Sequence, residues 1–365
     1  MKILFLINQF ADGGRERRMV ELVKGLDKIG DIQMHTIVFH KNVDYPDVLS
    51  TEMTYECIDD SDRKERCAKI EKVIASFAPD FVHSWVDTPT EMLLLAHLKN
   101  KYHYKYIAGF VADGNKDPMF SARHLMMMYT FWKSDAIVSN SIAGLIAKGA
   151  PKKKSNVIYN GFDFIRIPKY LDKDVKRKEL GVKTRYLVVM CARINAAKDW
   201  ESYIQLAAFA KEAELDVTFL AVGYGDKLSY YQEITNQLES NIKFIGRRTD
   251  VEEILYVADF GVLFNNSRVH AEGVSNSILE TMASGIPVIA TDGGGTPEIV
   301  ESGQNGYIIK ESDSKAAFDC LKRAIDDKNL YTKLSKNAIV TISNKFSIEK
   351  MVNEYIDLYY RLLQK

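Results

Sequence analysis

Short, mainly apolar runs alternate with amphipathic segments along most of the chain. Residues 3–7, 186–190 and 286–290 are three such runs. Runs of this kind are typical of strands buried on both faces of a parallel sheet. Between them apolar residues recur at helical spacing, for example over residues 19–26. The pattern predicts an α/β protein in which both halves of the chain alternate strand and helix.

The length of the chain suits two such domains. Its 365 residues can form two separate α/β cores. The polar, lysine-rich stretch 168–185 has no strong apolar pattern, and we place a linker there. The predicted domains are residues 1–165, residues 166–345, and a final amphipathic helix, residues 346–365, that returns to the first domain.

Charge and cysteine content exclude several classes of protein. Lys plus Arg and Asp plus Glu both number 49, so nothing favours nucleic acid as a partner. The four cysteines have no metal-ligand or disulfide spacing, which indicates reduced thiols in a cytoplasmic protein. The first apolar run is too short for a signal peptide or a membrane span.

Residues 272–301 carry the strongest functional pattern, beginning E-G-V-S-N-S-I-L-E-T-M-A-S-G. A helix is predicted from Ser277, with Gly285 at its C-terminal end. A turn of small residues comes before it: Gly273, Val274, Ser275 and Asn276. A helix that starts at such a turn offers N–H groups and a positive dipole end, and a diphosphate would suit it.

Two glutamates flank this turn. Glu280 falls about one turn into the helix, where its carboxylate can accept hydrogen bonds from the vicinal hydroxyls of a ribose. Glu272 precedes the turn and would reach the far side of the same ligand. The alternative interpretation is an ordinary surface helix with two solvated glutamates.

A second cationic loop follows the apolar run 186–190. Arg193 and Lys198 are five positions apart in it and could converge on one diphosphate, arginine as a fork and lysine as a point charge. Taken alone, the two residues could equally be solvated charges.

The stretch from Glu272 resembles the sugar-nucleotide signature of the retaining glycosyltransferases of family four (glycosyl transferases group 1). Residues 134–141 are similar to the family's A-D-x-V-x-x-N-S, and residues 192–199 to its G-R-x-x-x-x-K-G, with Ala192 and Asp199 in place of the glycines. The resemblance implies the GT-B architecture, in which two doubly wound parallel-sheet (Rossmann-like) domains face each other across a cleft.

The same resemblance implies an activity. The enzyme would move a sugar from a nucleotide-diphosphate donor, with retention of configuration and without a metal or other cofactor. The acceptor would be a glycan, a glycolipid or another hydroxyl compound in cell-surface polysaccharide or glycoconjugate biosynthesis. Catalysis would rest on Arg193 and Lys198, which stabilise the leaving diphosphate, and on Glu272, which faces the transferred sugar.

Further donor contacts are implied in both domains. Gly13 and Gly14 are similar to the family's G-G-x-E loop, which faces the donor phosphates and the acceptor, although two adjacent glycines alone indicate only a tight turn. Gly246 and Arg247 lie in a basic turn that is a candidate for contacts with the nucleobase.

The acceptor side is less well defined. His83 ends a segment similar to the family's D-V-V-H, and either contacts the acceptor or is an orienting or core histidine. Many relatives have a histidine or arginine at the end of the next strand, whereas this chain continues with Asp113 and Asn115. Either of these could take a substrate role.

Two other segments bear on metal and membrane binding. Asp60 and Asp62 form an Asp-x-Asp triplet, the metal-binding triplet of the other large glycosyltransferase architecture, but we interpret it as a solvated loop that enters a helix. Residues 123–133, including the apolar stretch 126–132, lack a polar side. They either pack under the sheet, which we expect, or touch a lipid-linked acceptor or the inner face of a membrane.

Other functions fit the same architecture. A sugar-nucleotide epimerase is one, and a non-catalytic nucleotide-sugar sensor or scaffold is another. A phosphorylase would need a pyridoxal lysine site, for which the sequence contains no pattern.

Overall fold

The computed structural model describes residues 1–11, 13–86, 88–110, 118, 121–237 and 240–364, without the side chain of residue 110. The chain divides into two compact units, Met1–Gly161 with Ile348–Lys365, and Phe162–Ser347. The predicted limits at residues 165 and 345 lie a few residues from these.

The first unit is built on a parallel sheet. Its described residues form seven strands in the order β3-β2-β1-β4-β5-β6-β7. These are β1 (Lys2–Ile7), β2 (Gln33–Val38), β3 (Thr54–Cys57), β4 (Phe81–Ser84), β5 (Lys105–Phe110), β6 (Ala136–Ser139) and β7 (Ser155–Val157). The helices between them are α1 (Gly14–Asp27), α2 (Arg63–Phe77), α3 (Pro89–Tyr102), α4 (Ala122–Lys133) and α5 (Ile142–Ala147).

The second unit repeats this plan. Six parallel strands of its described residues lie in the order β10-β9-β8-β11-β12-β13. They are β8 (Tyr186–Cys191), β9 (Val217–Val222), β10 (Ile242–Gly246), β11 (Phe260–Leu263), β12 (Val288–Thr291) and β13 (Gly306–Ile309). The helices are α6 (Lys173–Glu179), α7 (Trp200–Glu212), α8 (Leu228–Gln237), α9 (Val251–Tyr256), α10 (Asn276–Ala283), α11 (Thr296–Ile299), α12 (Ser314–Asp326) and α13 (Lys328–Lys345), and the chain ends in α14 (Ile348–Leu363).

The predicted α/β class with two parallel sheets is confirmed. The helix predicted from Ser277 is α10, and Gly285 follows it with φ +77°. Because the strands of the second sheet are all parallel, the loops that follow β8, β9, β10, β11 and β12 emerge at one edge of that sheet. The residues of the signature and of the cationic loop therefore lie at the same edge.

The last helix belongs to the first unit. Tyr355, Leu358 and Tyr359 of α14 are buried in the same apolar cluster as the β1 and α1 side chains. A Cβ atom on Gly25 of α1 would come within 2.2 Å of Val352 Cγ2, so the two helices are in close contact.

One local prediction was wrong. The stretch 168–185 is not a linker: it contains α6, and Leu180 and Val182 after it are buried in the core of the second unit. The stretch 41–63, in which no element was predicted, contains the 3₁₀ helix Pro46–Ser50 and the edge strand β3. The side chains of β3 are mostly exposed, which explains the absence of an apolar pattern there.

The helix α4 is only half covered. Phe131 and Thr130 are buried against the first unit, but Leu125 and Trp132 are exposed, Trp132 to 66%. The prediction that this helix packs under the sheet therefore holds for one face only. Among the described residues, no helix is both long and apolar enough to cross a membrane.

Candidate functional site

Three loops at the carboxyl edge of the second sheet are joined through their backbones. Ala192 N donates to Val222 O at 3.0 Å, and Gly223 N donates to Gly246 O at 2.9 Å. A Cβ atom on Gly223 would lie 1.9 Å from Ala192 O, so only glycine permits this approach. The loops after β8, β9 and β10 consequently form one continuous surface.

That surface carries two arginines around one aromatic ring. The Arg193 and Arg247 guanidinium carbons lie 6.0 and 5.3 Å from the centre of the Tyr224 ring. All three side chains are exposed. The structure thus brings together the predicted phosphate and nucleobase contacts, and adds Tyr224, whose role the sequence pattern did not indicate.

Lys198 and Glu272 form an ion pair at the next loop. The Lys198 side chain is 10% exposed and that of Glu272 is 25% exposed. Lys198 Nζ also donates to Asn265 Oδ1 at 2.6 Å. Asn265 is buried, and its backbone N–H donates to Thr291 Oγ1 at 2.9 Å. The lysine is therefore held between the signature glutamate and a fixed amide.

This environment keeps Glu272 ionised. Burial acts to raise the pKa of its carboxyl, but the charge and the hydrogen bond of Lys198 outweigh burial, with smaller help from His270 and Ser275. The net effect holds the pKa below its usual range. A carboxylate and an ammonium are thus both present where the signature begins.

The glycine turn after β12 supports the signature from behind. Gly295 N donates to Glu272 O at 2.9 Å. Gly294 has φ +54°, and a Cβ atom on it would come within 1.7 Å of the same Glu272 oxygen. A side chain at Gly294 would push the signature loop away, so this turn fixes the position of Glu272.

The helix α10 begins immediately after the turn of small residues. Ser275 is its N-cap residue, and the Ser275 side chain makes no capping hydrogen bond to the helix. Ser277 Oγ donates to Cys191 O at 2.7 Å, which ties the first turn of the helix to the end of β8. The N-terminus of α10 therefore lies next to the cationic loop, in the arrangement expected for anion binding.

Glu280 lies on α10 and is paired with an arginine that sequence reasoning missed. Arg166 Nη2 donates to Glu280 Oε1 at 2.7 Å, and Arg166 Nε donates to Glu252 Oε1 at 2.8 Å. Burial opposes the charge on Arg166, but the two carboxylates raise its pKa above the usual range. These contacts span 114 and 86 residues of sequence, which no local pattern could reveal.

Asp199, one of the departures from the family's loop, has a structural role. Its carboxylate caps α7 by accepting from Ser202 N at 3.0 Å, and it also accepts from Ser202 Oγ and Ser312 Oγ. The aspartate therefore replaces a glycine by starting the next helix and anchoring a neighbouring loop.

In the first unit, Gly13 and Gly14 lie at the start of α1. Gly13 is its N-cap residue, and a Cβ atom there would come within 2.1 Å of Glu16 Oε2. The neighbouring residue 12 lies outside the described residues. Contact of this loop with a donor or acceptor stays a prediction.

His83 is fully buried at the end of β4. Its Nδ1 lies 2.8 Å from the Tyr359 hydroxyl, and a Cβ atom on Gly109 would come within 2.7 Å of its Nε2. Burial, assisted by the charge of Arg18, lowers the pKa of His83 to about 3, so the ring is neutral. This geometry favours the interpretation of a core histidine over an acceptor contact.

The remaining predicted positions are Asp113, Asn115, Asp60 and Asp62. Asp113 and Asn115 lie outside the described residues. Asp62 caps α2 by accepting from Lys64 N and Glu65 N, and Asp60 pairs with Lys69 at 2.6 Å. In the part of the chain that the structure describes, no three His, Cys, Asp or Glu side chains are grouped as metal ligands. Independence from metal stays a prediction.

Comparison with known families identifies the second unit. Residues 172–341 match the family described as glycosyl transferases group 1. The match covers slightly less than half of the chain. The resemblance inferred from the signature is thereby confirmed, and the matched residues are called the group 1 segment below.

Two curated proteins are similar to this chain. One is N-acetyl-alpha-D-glucosaminyl L-malate synthase of Bacillus anthracis, 28% identical over 220 residues, which are 59% of this chain and 55% of the relative. The other is UDP-Gal:alpha-D-GlcNAc-diphosphoundecaprenol alpha-1,3-galactosyltransferase of Escherichia coli, 31% identical over 213 residues, which are 56% and 54% of the two chains. The chain thus spans about half the length of the curated relatives that it matches.

A solved structure extends the likeness to the whole fold. Anabaena Alr3699/HepE, crystallised in complex with UDP and glucose, matches with a TM-score of 0.83 and 21% identity over 99% of each chain. The likeness establishes the GT-B architecture of two Rossmann-like units in one chain.

The group 1 segment contains Arg193, Lys198, Glu272 and Glu280. Arg166 lies just before its first residue. The contacts of Arg166 with Glu252 and Glu280 therefore join the start of the second unit to the signature helix.

Proposed function

We propose that this protein is a retaining glycosyltransferase that uses a nucleoside-diphosphate sugar as its donor. The observation that carries the proposal is the Lys198–Glu272 ion pair at the N-terminus of α10, with Arg193 in the adjoining loop. Cations, helix N–H groups and a carboxylate meet there in the group 1 segment.

The leaving diphosphate would be stabilised electrostatically. When the bond between sugar and diphosphate breaks, negative charge develops on the diphosphate oxygens. Arg193, Lys198 and the N–H groups of residues 273–276 would be positioned before the reaction, so they would need little reorganisation as the bond breaks. Glu272 would face the transferred sugar, where its charge can balance the positive character of the anomeric carbon. The acceptor would attack from the face that the diphosphate leaves.

The nucleoside would lie between α10 and the loops after β9 and β10. The Glu280 carboxylate can accept hydrogen bonds from the ribose hydroxyls, since Arg166 occupies only part of its acceptor capacity. The Tyr224 ring and Arg247 can stack against the base, as aromatic rings and guanidinium planes do with bases generally. The solved relative with UDP and glucose supports uridine diphosphate as the first nucleotide to test.

The acceptor is proposed to be a glycan or a lipid-linked glycan. The name of the Escherichia coli relative includes a diphosphoundecaprenol acceptor, which supports the lipid-linked class. Leu125, Tyr129 and Trp132 are exposed on α4 beside Lys133, a pattern suited to a peripheral contact with the inner face of a membrane. Flotation with anionic vesicles tests the contact: wild type should float with the vesicles and Trp132→Ser should float less. Equal flotation of both would exclude this face.

The proposal also includes independence from metal. Asp62 caps α2, and Asp60 pairs with Lys69 of the same helix. Arg193 and Lys198 would neutralise the leaving diphosphate in place of a metal ion. Chelator should therefore leave the transfer rate within about twofold of its starting value. Strict dependence on Mn²⁺ or Mg²⁺ would contradict this part of the proposal.

A donor panel tests the activity itself. The purified protein is incubated with UDP- and GDP-sugars, with and without glycolipid acceptors, and both nucleoside diphosphate and sugar products are measured. Release that increases with an acceptor, together with a glycosylated product, is the predicted result. A changed sugar still attached to its nucleotide would indicate an epimerase, and tight binding without turnover would indicate a sensor or scaffold.

A further inference from the structure

Arg166 is held in one orientation by its own turn. It ends the 3₁₀ helix Phe164–Arg166, whose N-cap residue Asp163 accepts from Ile165 N at 2.9 Å. Arg166 N donates to Asp163 O at 3.1 Å, which closes the turn. The side chain therefore leaves a fixed backbone.

The guanidinium is enclosed as well. It lies 4.8 Å above the Phe162 ring, and the Arg166 side chain is 14% exposed. Phe162 is buried and its N–H donates to Phe346 O at 2.8 Å, so the platform under the guanidinium is itself anchored. An arginine restrained in this way can impose a geometry on the carboxylate that it binds.

Glu280 is the carboxylate on which that geometry is imposed. One nitrogen of Arg166 donates to Glu280 Oε1 and also to Glu252 Oε1, so the arginine bridges two carboxylates that are each mostly buried. A carboxylate has about four acceptor positions, and Arg166 occupies one of those on Glu280. The others stay available at the position proposed for the ribose.

We propose that Arg166 is a positioning residue that holds the Glu280 carboxylate in the orientation needed to accept hydrogen bonds from the vicinal ribose hydroxyls. This inference rests on the proposed function of the same site. It makes Arg166 a determinant of selectivity for ribonucleotides over deoxyribonucleotides, although it touches neither hydroxyl.

A purely structural role predicts different behaviour. Arg166 could serve only to neutralise Glu252 on α9. Lys176 does the same for the adjacent residue, since it is mostly buried and pairs with Glu253 at 2.7 Å and with Asp250. Lys176→Met is therefore a matched control: it removes the buried cation of α6 that pairs with the carboxylate of Glu253 on α9, and it leaves the contact between Arg166 and Glu280 intact.

The experiment measures binding by calorimetry for wild type, Arg166→Met and Lys176→Met. The probes are UDP, GDP and their 2′-deoxy counterparts. Wild type should prefer the ribonucleotide by about tenfold or more, as expected for a hydrogen bond to a charged group. In Arg166→Met the preference should fall to about twofold through loss of ribonucleotide affinity, with deoxyribonucleotide affinity nearly unchanged. Lys176→Met should keep the wild-type preference.

A double variant covers the case in which Arg166→Met does not fold. Arg166→Met with Glu252→Gln removes the uncompensated charge on α9 and should fold, and it should still lack the ribose preference because Glu280 is no longer held. Recovery of the preference in the double variant would overturn the inference, as would a wild-type preference in Arg166→Met. A wild type that binds nucleoside diphosphates without preferring ribose would overturn the inference and leave the proposed function standing. A wild type that binds neither UDP nor GDP would overturn both.

Discussion

The substitution Lys198→Met tests the anion site most sharply among single changes. Methionine keeps most of the volume and removes the charge, so Glu272 loses its partner and Asn265 Oδ1 loses its donor. Breaking a fully buried ion pair costs about 3–5 kcal/mol. Because the Glu272 side chain is 25% exposed, water can compensate in part, and we expect the free energy of unfolding to fall by about 2 kcal/mol.

Lys198→Met should reduce the rate of sugar transfer more than it reduces the stability of the fold. Removing one preorganised donor from an anion-stabilising site typically slows the chemical step by about 10²–10³-fold, or roughly 2.7–4 kcal/mol. The turnover number of Lys198→Met, measured from nucleoside diphosphate release at saturating donor, should fall by about a hundredfold or more.

The same variant should change the response to acid. In wild type the folded-state pKa of Glu272 is below its ordinary value of 4.5, so its pairing stabilises the protein above pH 4.5 and is lost as the pH falls below that value. Without Lys198, the effect of burial on the pKa of Glu272 is no longer outweighed. The part of the stability that wild type loses in acid through Glu272 should therefore be absent from the variant. Chemical denaturation of both proteins across this pH range measures the difference.

The control is Lys315→Met on α12. Lys315 pairs with Asp319 at 2.9 Å, but both side chains are 61% exposed. Its loss should change the free energy of unfolding by about 0.5 kcal/mol or less and leave turnover unchanged. Wild-type turnover in Lys198→Met at saturating donor would refute the assignment of this lysine to the diphosphate.

Two further predictions concern the support of the signature and the buried histidine. Gly294→Ala should slow transfer by about tenfold or more, because its Cβ atom displaces Glu272. Gly303→Ala, with φ +76° and no atom within 4 Å of the added Cβ, should only reduce stability. Equal transfer rates in the two variants would contradict this prediction. Since the pKa of His83 is lowered to about 3, its burial as a neutral ring stabilises the fold above pH 6.5, and this stability should fall as the pH decreases from 6.5 toward 3. Chemical denaturation should show a weaker pH dependence for His83→Gln, and parallel curves would rule out the explanation.

The sheets and the signature helix could be predicted because their signals are local. Apolar runs such as β8 are buried along almost their whole length, and the small residues before α10 with Gly285 after it mark both ends of that helix. The ion pair between Lys198 and Glu272 was not predicted, although the resemblance assigns both residues to one site and loops after parallel strands meet at one edge of the sheet. The family resemblance used these same residues.

The missed features depend on contacts between distant parts of the chain. The helix α6 has no apolar stripe: its one buried residue is Lys176, which pairs with Glu253 of α9 and with Asp250 just before that helix. Arg166 likewise has no local pattern that points to Glu280. His83 ends its strand as expected, but whether it faces a ligand or the core is decided by Tyr359 of α14, far along the chain. Position at a strand end predicts the neighbourhood of a side chain but not its exposure.

Calorimetric titration of Glu272→Gln and Glu280→Gln with nucleoside diphosphate, beside their turnover numbers, tests the central claim most directly. Glu280→Gln should weaken binding of the free nucleoside diphosphate by about tenfold, because it loses charge-assisted hydrogen bonds to the ribose. Glu272→Gln should leave that affinity nearly unchanged and lower the turnover number, because its contact strengthens only in the transition state. If Glu272→Gln abolishes nucleoside diphosphate binding while Glu280→Gln leaves it untouched, the donor does not lie along α10 in the proposed orientation.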